Sequence, residues 1–331
     1  MFAGTERKNE KIHPKNIKNT AKRRNNFMKK FITLMLTVAL ALTMCMSFAA
    51  CDGNNNSASN KIKMIDVKLS EEQYGIAVSK TNDGLLETVN TVLSEKATEI
   101  AALIKNYEGK DYNDDDAAID GTYVEGVVAY QTGMSSDEYL VLATDYPFAP
   151  FEYMVGTNFG GIDIEIGKLI ADKLGKKLAV KYVAFDLICT AVNGGDADLG
   201  LAGLTITEAR KQTVNFSNPY YTGAYQVLVV MEDDTTFDNC KTADDVDAIL
   251  KSMANGTKVG SQTGSTGFKF IAGDKDESGF SEFKGYSNLT VKGYTTHADA
   301  ARDMVNGAVK FCVVDNLVAS SIVAQINASA K

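Results

Sequence analysis

The sequence predicts an α/β fold with two lobes. From residue 138 onward, short apolar strands alternate with helical patterns, which is typical of mostly parallel sheets with helices on both faces. Residues 225–231 read YQVLVVM and are apolar enough to carry the chain from one group of alternating elements into a second group. A length of 331 residues is sufficient for two domains that each bury their own core.

The order of the expected elements follows from apolar spacing along the chain. Strands are predicted at residues 61–68, 73–79, 139–143, 179–183, 199–202, 225–231, 258–261, 290–293 and 309–314. Helices are predicted over 85–104, where apolar residues recur at helical spacing, and at 162–174, 187–193, 207–212, 244–251, 266–271, 297–306 and 317–325. Segments 225–230 and 74–78 are expected to lie side by side as the hinge between the lobes.

Residues 199–221, LGLAGLTITEARKQTVNFSNPYY, contain the strongest candidate for an anion site. A strand ends near Gly203, and Thr207 is expected to cap a helix that opens with Glu208-Ala209-Arg210. Unpaired backbone N–H groups at such a junction favour an anion, and a guanidinium can hold a carboxylate with two parallel hydrogen bonds. The alternative is an ordinary amphipathic helix with a surface arginine.

Three motifs together resemble the bacterial extracellular solute-binding proteins of family 3. They are the TITEAR to NFSNPYY stretch above, the turn TDYPFAPFEY at 144–153, and the strand YGIAV at 74–78. The resemblance covers roughly residues 61–106 and 138–331. It implies a periplasmic-binding-protein-like (type II) fold of two lobes joined by two hinge strands, which captures a free amino acid for an ABC importer.

The motifs stand in an unusual order, because the family's first strand matches residues 139–153 and its last strand matches the YGIAV segment near the N-terminus. Joining Lys331 to Lys61 restores the family pattern, so we predict a circular permutant. A degraded tandem duplicate is the alternative. The predicted regions are a signal peptide at 1–50, a tether at 51–60, a lobe 2 strand and hinge strand at 61–78, lobe 1 helices at 79–106, a linker at 107–137, lobe 1 at 138–225 and lobe 2 at 226–331. The linker is expected to be solvated, with a short hairpin at TYVEGVVAYQ as the alternative.

The resemblance implies which residues hold the two charges of an amino acid. Arg210 and Thr205 match the positions that bind the α-carboxylate, and Ser265 and Thr266 match the lobe 2 loop that completes its coordination. Asp315 matches the aspartate that accepts from the α-ammonium, although an aspartate after a strand is also a common helix N-cap. The carbonyl of Gly203 matches its partner on the opposite lobe.

Four more positions match residues around the ligand's side chain. Phe148 and Phe185 match aromatic walls, although such aromatic residues are often core residues. Asp145 and Gln262 match positions that contact polar side chains, which suggests a ligand with an amide or amine tail. Because both wall residues are apolar, an aliphatic or aromatic ligand stays an alternative.

The N-terminus predicts export from the cytoplasm. Met28-Lys29-Lys30 precedes an uncharged stretch that ends at Cys51, which is typical of a lipoprotein signal peptide that begins at Met28. We therefore expect lipidation at Cys51 and an extracytoplasmic location at the membrane; the alternative is an uncleaved membrane anchor. Loss of residues 1–50 removes ten basic and two acidic residues and takes the net charge from −8 to −16, which argues against nucleic acid as a partner.

The remaining chemistry-bearing residues argue against a cofactor. Cys189, Cys240 and Cys312 show no CxxC spacing, and either one disulfide or free thiols are compatible with them. His13 and His297 are the two histidines, so we expect neither a histidine-based metal site nor a histidine in the ligand pocket. No GxxxxGK[ST] or GxGxxG run supports nucleotide binding.

The sequence therefore predicts a monomeric receptor, not an enzyme, that binds a polar L-amino acid between its lobes and passes it to an ABC permease. An enzyme on the same scaffold, similar to cyclohexadienyl dehydratase, is the alternative, with Asp145 or Glu152 as the acid or base. A sensor that reports the ligand to a membrane partner is a third hypothesis.

Overall fold

The first lobe is built on a six-stranded sheet. The computed structural model describes residues 60–108, 122–274 and 283–330. The strand order is β10-β3-β9-β5-β8-β4, in which β4, β5, β8 and β9 are parallel and β3 and β10 are antiparallel to their neighbours. These strands are β3 (Ala77–Ser79), β4 (Val128–Ala129), β5 (Tyr139–Thr144), β8 (Lys177–Tyr182), β9 (Leu199–Gly200) and β10 (Val214–Phe216). A hairpin of β6 (Tyr153–Val155) and β7 (Asn158–Gly160) lies beside the sheet.

Helices cover this sheet and bury the apolar faces that the sequence indicates. They are α1 (Asp83–Glu95), α2 (Ala97–Glu108), α3 (Ile162–Lys173), α4 (Ile188–Asn193), preceded by a 3₁₀ turn at Phe185–Leu187, and α5 (Glu208–Lys211). Asn82 caps α1 by accepting from the Leu85 N–H at 3.2 Å, and Leu85, Val89, Val92 and Leu93 are buried. The apolar spacing therefore predicted the buried face of α1 correctly.

The second lobe has a five-stranded sheet in the order β1-β12-β15-β13-β14. Its strands are β1 (Ile62–Ile65), β12 (Gln226–Met231), β13 (Thr257–Gln262), β14 (Leu289–Tyr294) and β15 (Phe311–Asp315). Strands β13, β14 and β15 are parallel, whereas β1 and β12 are antiparallel to their neighbours. The helices are α6 (Ala243–Ser252), α7 (Thr266–Ala272), α8 (His297–Val305) and α9 (Asn316–Ser329).

The hinge pairing differs from the predicted one by a few residues. Strand β2 (Glu72–Tyr74) pairs antiparallel with β11 (Tyr221–Ala224) in a small separate sheet that joins the two lobes. The segment predicted at 225–230 belongs instead to β12 in the second lobe, and residues 77–79 belong to β3 in the first. The apolar runs identified strands, but the register of two distant strands depends on long-range pairing that local spacing does not contain.

The predicted linker at 107–137 contains ordered structure at both described ends. Helix α2 extends to Glu108, and β4 adds a parallel edge strand to β8. The alternative hairpin at TYVEGVVAYQ is therefore wrong for these residues, because Val128–Ala129 pairs with Ala179 and Val180 rather than with its own neighbours. Residues 109–121 of the linker lie outside the described residues.

The two described ends of the chain meet in the second lobe. The Asn327 side chain in α9 accepts from the Ile62 N–H at 2.8 Å and donates to the Ile62 carbonyl at 2.9 Å. Helix α9 thereby holds the first strand at the edge of the sheet. Such proximity is what a circular permutation requires, and the permutation itself stays a prediction. The predicted signal peptide, Cys51 and the tether up to residue 59 lie outside the described residues.

Three further expectations concern sulfur, metal and membrane. Cys189, Cys240 and Cys312 are free thiols, so no disulfide joins them. Across residues 60–108, 122–274 and 283–330, no group of three or more His, Cys, Asp or Glu residues is arranged to hold a metal ion. None of the helices in those same ranges combines the length and apolarity needed to cross a bilayer.

Candidate functional site

The candidate site lies where the parallel strands of both sheets end. In an open α/β sheet, the crevice at the carboxyl ends of the strands is the usual place for a ligand. In the first lobe, β5 is followed by Asp145 and β9 by Gly203. In the second lobe, β13 ends at Gln262, β14 is followed by His297 and β15 ends at Asp315. The fold therefore brings the predicted side chains of both lobes to facing edges.

Arg210 is buried between the lobes, with 9% of its surface exposed. Thr207 caps α5 as predicted, because its hydroxyl accepts from the Arg210 N–H at 3.1 Å. The Arg210 Nη1 donates to the Thr205 carbonyl at 2.8 Å, and Nη2 donates to the Gly264 carbonyl of the other lobe at 3.3 Å. The guanidinium also lies 5.1 Å from the centre of the Phe185 ring. The interpretation of Arg210 as a surface arginine is wrong.

Glu72, for which the sequence predicts no role in the site, is a buried carboxylate at the hinge. Its Oε2 accepts from the Thr205 hydroxyl of the first lobe at 2.6 Å and from the Thr266 hydroxyl of the second lobe at 2.9 Å. Its Oε1 accepts from the Ser70 hydroxyl at 2.8 Å. The two threonine hydroxyls that we assigned to a ligand carboxylate are therefore bonded to a carboxylate of the protein itself.

Ser265 has a structural role that the sequence did not predict. Its hydroxyl caps α7 by accepting from the Phe268 N–H at 3.1 Å, and it lies 3.1 Å from the Ser261 hydroxyl. Small polar residues at the start of a helix often satisfy its free N–H groups in this way. The family-like loop thus has two hydroxyls, on Ser265 and Thr266, that both have partners within the protein.

Asp315 lies at the end of β15 and accepts from the Tyr74 hydroxyl at 2.5 Å. It occupies the N-cap position of α9, as the alternative expects, but its side chain makes no capping hydrogen bond. Burial, and next the charge of Glu72, raise the pKa of Asp315 to about 7. A cation placed beside this pair would favour its ionised form.

Asp145 and Gln262 meet across the two lobes. The Gln262 Nε2 donates to the Asp145 Oδ2 at 2.6 Å and to the Thr295 carbonyl at 2.8 Å. Burial raises the pKa of Asp145 to about 6, although hydrogen bonds from Tyr182 and Gln262 oppose the shift. The two residues that we predicted to contact a polar side chain therefore form one unit.

Behind Asp145, the first lobe contains two more buried carboxyl groups. Asp163 accepts from the Tyr220 hydroxyl at 2.7 Å and from the Gly203 N–H at 2.9 Å, and burial raises its pKa to about 7. Burial first, and then the charges of Asp163 and Asp145, raise the pKa of Glu152 well above its usual range. Asp163 thus holds the Gly203 turn in place from behind.

Phe148 lies close to Gly203, and its neighbour in the second lobe is a histidine. The Phe148 and His297 rings are 5.8 Å apart between centroids, at an interplanar angle of 37°. His297 is 3% exposed. The expectation of no pocket histidine is therefore wrong. The position after β14, another parallel strand end, is the sequence signal that would have located it.

Buried acidic side chains outnumber buried basic ones around the cleft. Among the residues that the structure describes, the buried carboxyl groups are those of Glu72, Asp145, Glu152, Asp163 and Asp315, and the one buried Lys or Arg side chain is Arg210. Buried carboxylates need a cation, hydrogen-bond donors or a proton to offset their desolvation. The arrangement therefore suits a ligand that brings positive charge and several N–H donors.

The fold and the site define a two-lobed binding protein with a charged crevice between its lobes. The bacterial extracellular solute-binding proteins, family 3, match this chain over residues 140–310. The match covers more than half of the 331 residues. The chain therefore belongs to this family.

Several relatives are named for the amino acid that they bind. The arginine-binding extracellular protein ArtP of Bacillus subtilis (strain 168) is 33% identical over 127 residues, which are 38% of this chain and 46% of that protein. A probable histidine-binding protein of Neisseria gonorrhoeae is 30% identical over 183 residues, 55% of this chain and 60% of the relative. The chain thus spans about half the length of the curated relatives it matches.

Solved structures with similarity to this chain include two ancestral proteins. An ancestral arginine-binding protein bound to glutamine is 33% identical, with a TM-score of 0.48, over 58% of this chain and 76% of the other. The ancestral amino acid-binding protein AncCDT-1, a precursor of cyclohexadienyl dehydratase, is 27% identical, with a TM-score of 0.45, over 54% of this chain and 71% of the other.

Proposed function

We propose that this protein is a receptor that binds one free, cationic L-amino acid between its two lobes. The observation that carries the proposal is the arrangement around the Tyr74–Thr205 backbone bridge. Arg210 donates to the Thr205 carbonyl, and the side-chain hydroxyl of Tyr74 donates to Asp315. A guanidinium and a carboxylate that are each bonded to one residue of the same bridge suit the α-carboxylate and α-ammonium of a zwitterion.

The charge of the ligand's side chain follows from the excess of buried acid. An amino acid with a neutral side chain brings no cation to Asp145, whose burial would then be offset only by hydrogen-bond donors or a proton. A guanidinium or ammonium tail next to Asp145 would lower that cost. The names of the relatives, arginine-binding and histidine-binding, agree with this ligand class.

Capture is proposed to occur by hinge closure about β2 and β11. In the closed form, Gln262 contacts Asp145 and Gly264 contacts Arg210 across the lobes. Closure removes water from the cleft, which strengthens each charge pair with the ligand. No covalent step is needed, and the proposal assigns binding, not catalysis, to Asp145 and Glu152.

Delivery to a membrane permease completes the proposed function. The family is named for extracellular solute binding, and we place this chain outside the cytoplasm, anchored by a lipid on Cys51. The closed pair of lobes would present one surface to an ABC permease. Radiolabelled palmitate incorporation that is lost in Cys51→Ala would support the anchor, and retention of the label would contradict it.

Calorimetry with the purified protein and the twenty amino acids tests the central proposal. We expect binding of arginine, lysine or histidine in preference to neutral amino acids. Arg210→Ala should weaken binding at least 100-fold, since it removes a buried charge-assisted pair. Lys211→Ala, at the exposed neighbouring position, is the matched control and should bind as the unaltered protein does. Absence of any amino-acid ligand, or tight binding by Arg210→Ala, would contradict the proposal.

A further inference from the structure

His297 occupies an unusual place for a polar side chain. It is the first residue of α8, directly after the cap Thr296, and it is 3% exposed. Its ring faces Phe148 of the other lobe at 5.8 Å between centroids. The side chain therefore belongs to the boundary between the lobes and not to the interior of the second lobe alone.

Neither ring nitrogen of His297 meets a hydrogen-bonding group among the residues that the structure describes. Burial lowers the pKa of His297 to about 3, so the ring is neutral at pH 7, with one N–H donor and one acceptor nitrogen. The N-terminal end of a helix also disfavours a positive charge. Two buried polar atoms without partners are costly, and in a native protein each requires an explanation, of which a bound ligand is one.

Close to His297 lies another buried polar atom without a hydrogen-bonding partner in the described residues, the Gln262 Oε1. Thr295, two residues before it, accepts from Gln262, and Gln262 in turn donates to Asp145. The unpaired atoms of His297 and Gln262 thus lie on the second-lobe side of the cleft, where these residues contact Phe148 and Asp145 of the first lobe.

We propose that His297 is a specificity-determining residue that hydrogen-bonds the polar side chain of the bound amino acid. The inference rests on the proposed function, since it concerns the same cleft. The Asp145–Gln262 pair supplies charge recognition, and His297 supplies a directed hydrogen bond from the opposite end of the same wall. Amino acids with N–H groups at the end of a long side chain are selected over apolar ones of equal length.

A purely structural role for His297 would be served by an apolar ring. Phenylalanine keeps the ring contact with Phe148 and has no nitrogen that needs a partner. The replacement His297→Phe therefore separates packing from hydrogen bonding, and His297→Gln restores a donor and an acceptor without the ring. Arg302→Ala, an exposed change on the same helix, is the matched control.

The test is calorimetry of these three variants with arginine, lysine, histidine and glutamine as probes, using the tightest binder for comparison. We expect His297→Phe to weaken its binding roughly 10- to 100-fold, as loss of a hydrogen bond to a charged group does. His297→Gln should recover part of that loss, and Arg302→Ala should lose nothing. In the unaltered protein, the ¹⁵N resonances of the His297 ring should shift when this probe is added.

Each outcome bears on a defined statement. If the unaltered protein binds no amino acid, the proposed function fails and the inference fails with it. If the protein binds a polar amino acid but His297→Phe binds it equally well, or His297→Phe and His297→Gln are equally weak, the inference alone is overturned. If His297→Phe does not fold, His297→Gln and the ¹⁵N resonances decide the matter, and unchanged resonances overturn it.

Discussion

Gln262 of the second lobe donates to Asp145 of the first lobe at 2.6 Å, so a neutral amide and a buried carboxylate join the two lobes at the cleft. The same amide group donates to the Thr295 carbonyl, which fixes its orientation. One side chain thus connects the end of β13, the end of β14 and the end of β5. A carboxylate has acceptor sites for several donors, so Asp145 can accept further hydrogen bonds from a ligand.

Replacement of Gln262 should weaken ligand binding by opening this junction. Gln262→Ala removes the donor to a buried carboxylate, and a hydrogen bond to a charged group contributes about 1.5–3 kcal/mol. We expect roughly 10- to 100-fold weaker binding of the tightest cationic amino acid, measured by calorimetry. Gln212→Ala, at an exposed position, is the control. Equal affinity in Gln262→Ala and Gln212→Ala would contradict the role of Gln262.

Glu72 is expected to hold the closed form together without any ligand. It accepts from hydroxyls of both lobes and of the hinge segment, on Thr205, Thr266 and Ser70. Glu72→Gln turns one acceptor oxygen into a donor that faces hydroxyl donors, so we expect a loss of about 1–3 kcal/mol of folding free energy. Denaturant unfolding measures this loss, and Glu71→Gln, an exposed neighbour, is the control. A free energy of unfolding as high in Glu72→Gln as in the control would show that the bridge contributes nothing.

The pH dependence of stability follows from the raised carboxyl pKa values. The pKa values are about 6 for Asp145 and about 7 for Asp163 and Asp315, above the ordinary 3.8. A raised folded-state pKa contributes stability that is present at low pH and is lost as the pH rises through the folded value. The melting temperature of the ligand-free protein should therefore rise by several degrees from pH 8 to pH 6.5.

Below pH 6.5, His297 should oppose this trend. Its pKa is about 3 in the folded protein against an ordinary value of 6.5, so the unfolded chain binds a proton that the folded chain does not. Because at least three carboxyl groups gain protons in the folded state over this range and only one histidine opposes them, the melting temperature should keep rising towards pH 5, but less steeply, and His297→Phe should make the rise steeper. Binding of a cationic amino acid should weaken as the pH falls from 8 to 5, because the carboxylates become neutral. Affinity that rises over that range would contradict a cationic ligand.

Gly203 is expected to tolerate no side chain. Its φ is +53°, and an added Cβ would lie 2.5 Å from the Phe148 Cε1. Gly195 has φ of +81° with open space around it, so Gly195→Ala carries backbone strain without the clash. We expect Gly203→Ala to lose about 1–3 kcal/mol more folding free energy than Gly195→Ala, with weaker ligand binding in addition. Equal losses of folding free energy in the two variants, measured by denaturant unfolding, would show that the close approach of Phe148 does not exclude a side chain at position 203.

The sequence was informative where the signal is local. Arg210 lies on a short helix whose N-cap residue, Thr207, stands three positions before it in the sequence, and Asp315 ends an apolar strand. Glu72 was missed because it stands in a polar run, residues 70–73, and such charged residues are usually exposed. Its burial depends on hydroxyls more than 130 residues away in the sequence. The hinge register was shifted for the same reason. The position of His297 at the cleft depends on the pairing of β13 with β14, which spacing alone does not contain.

The order of the chain allows a last prediction about the fold. If the chain is a circular permutant, joining Lys331 to Lys61 and opening the chain between residues 109 and 121 should restore the order of the family. The Asn327 hydrogen bonds to Ile62 place the two ends to be joined next to each other, and a short closed loop costs little entropy. We expect the rearranged protein to fold and to bind the same amino acid within about tenfold of the original affinity. The control opens the chain inside α3 instead, between residues 166 and 167, where a break interrupts a buried helix, and it should not fold. The two ends lie close together, so the protein with joined ends should be able to close. If it does not fold, the degraded tandem duplicate is favoured over the permutant.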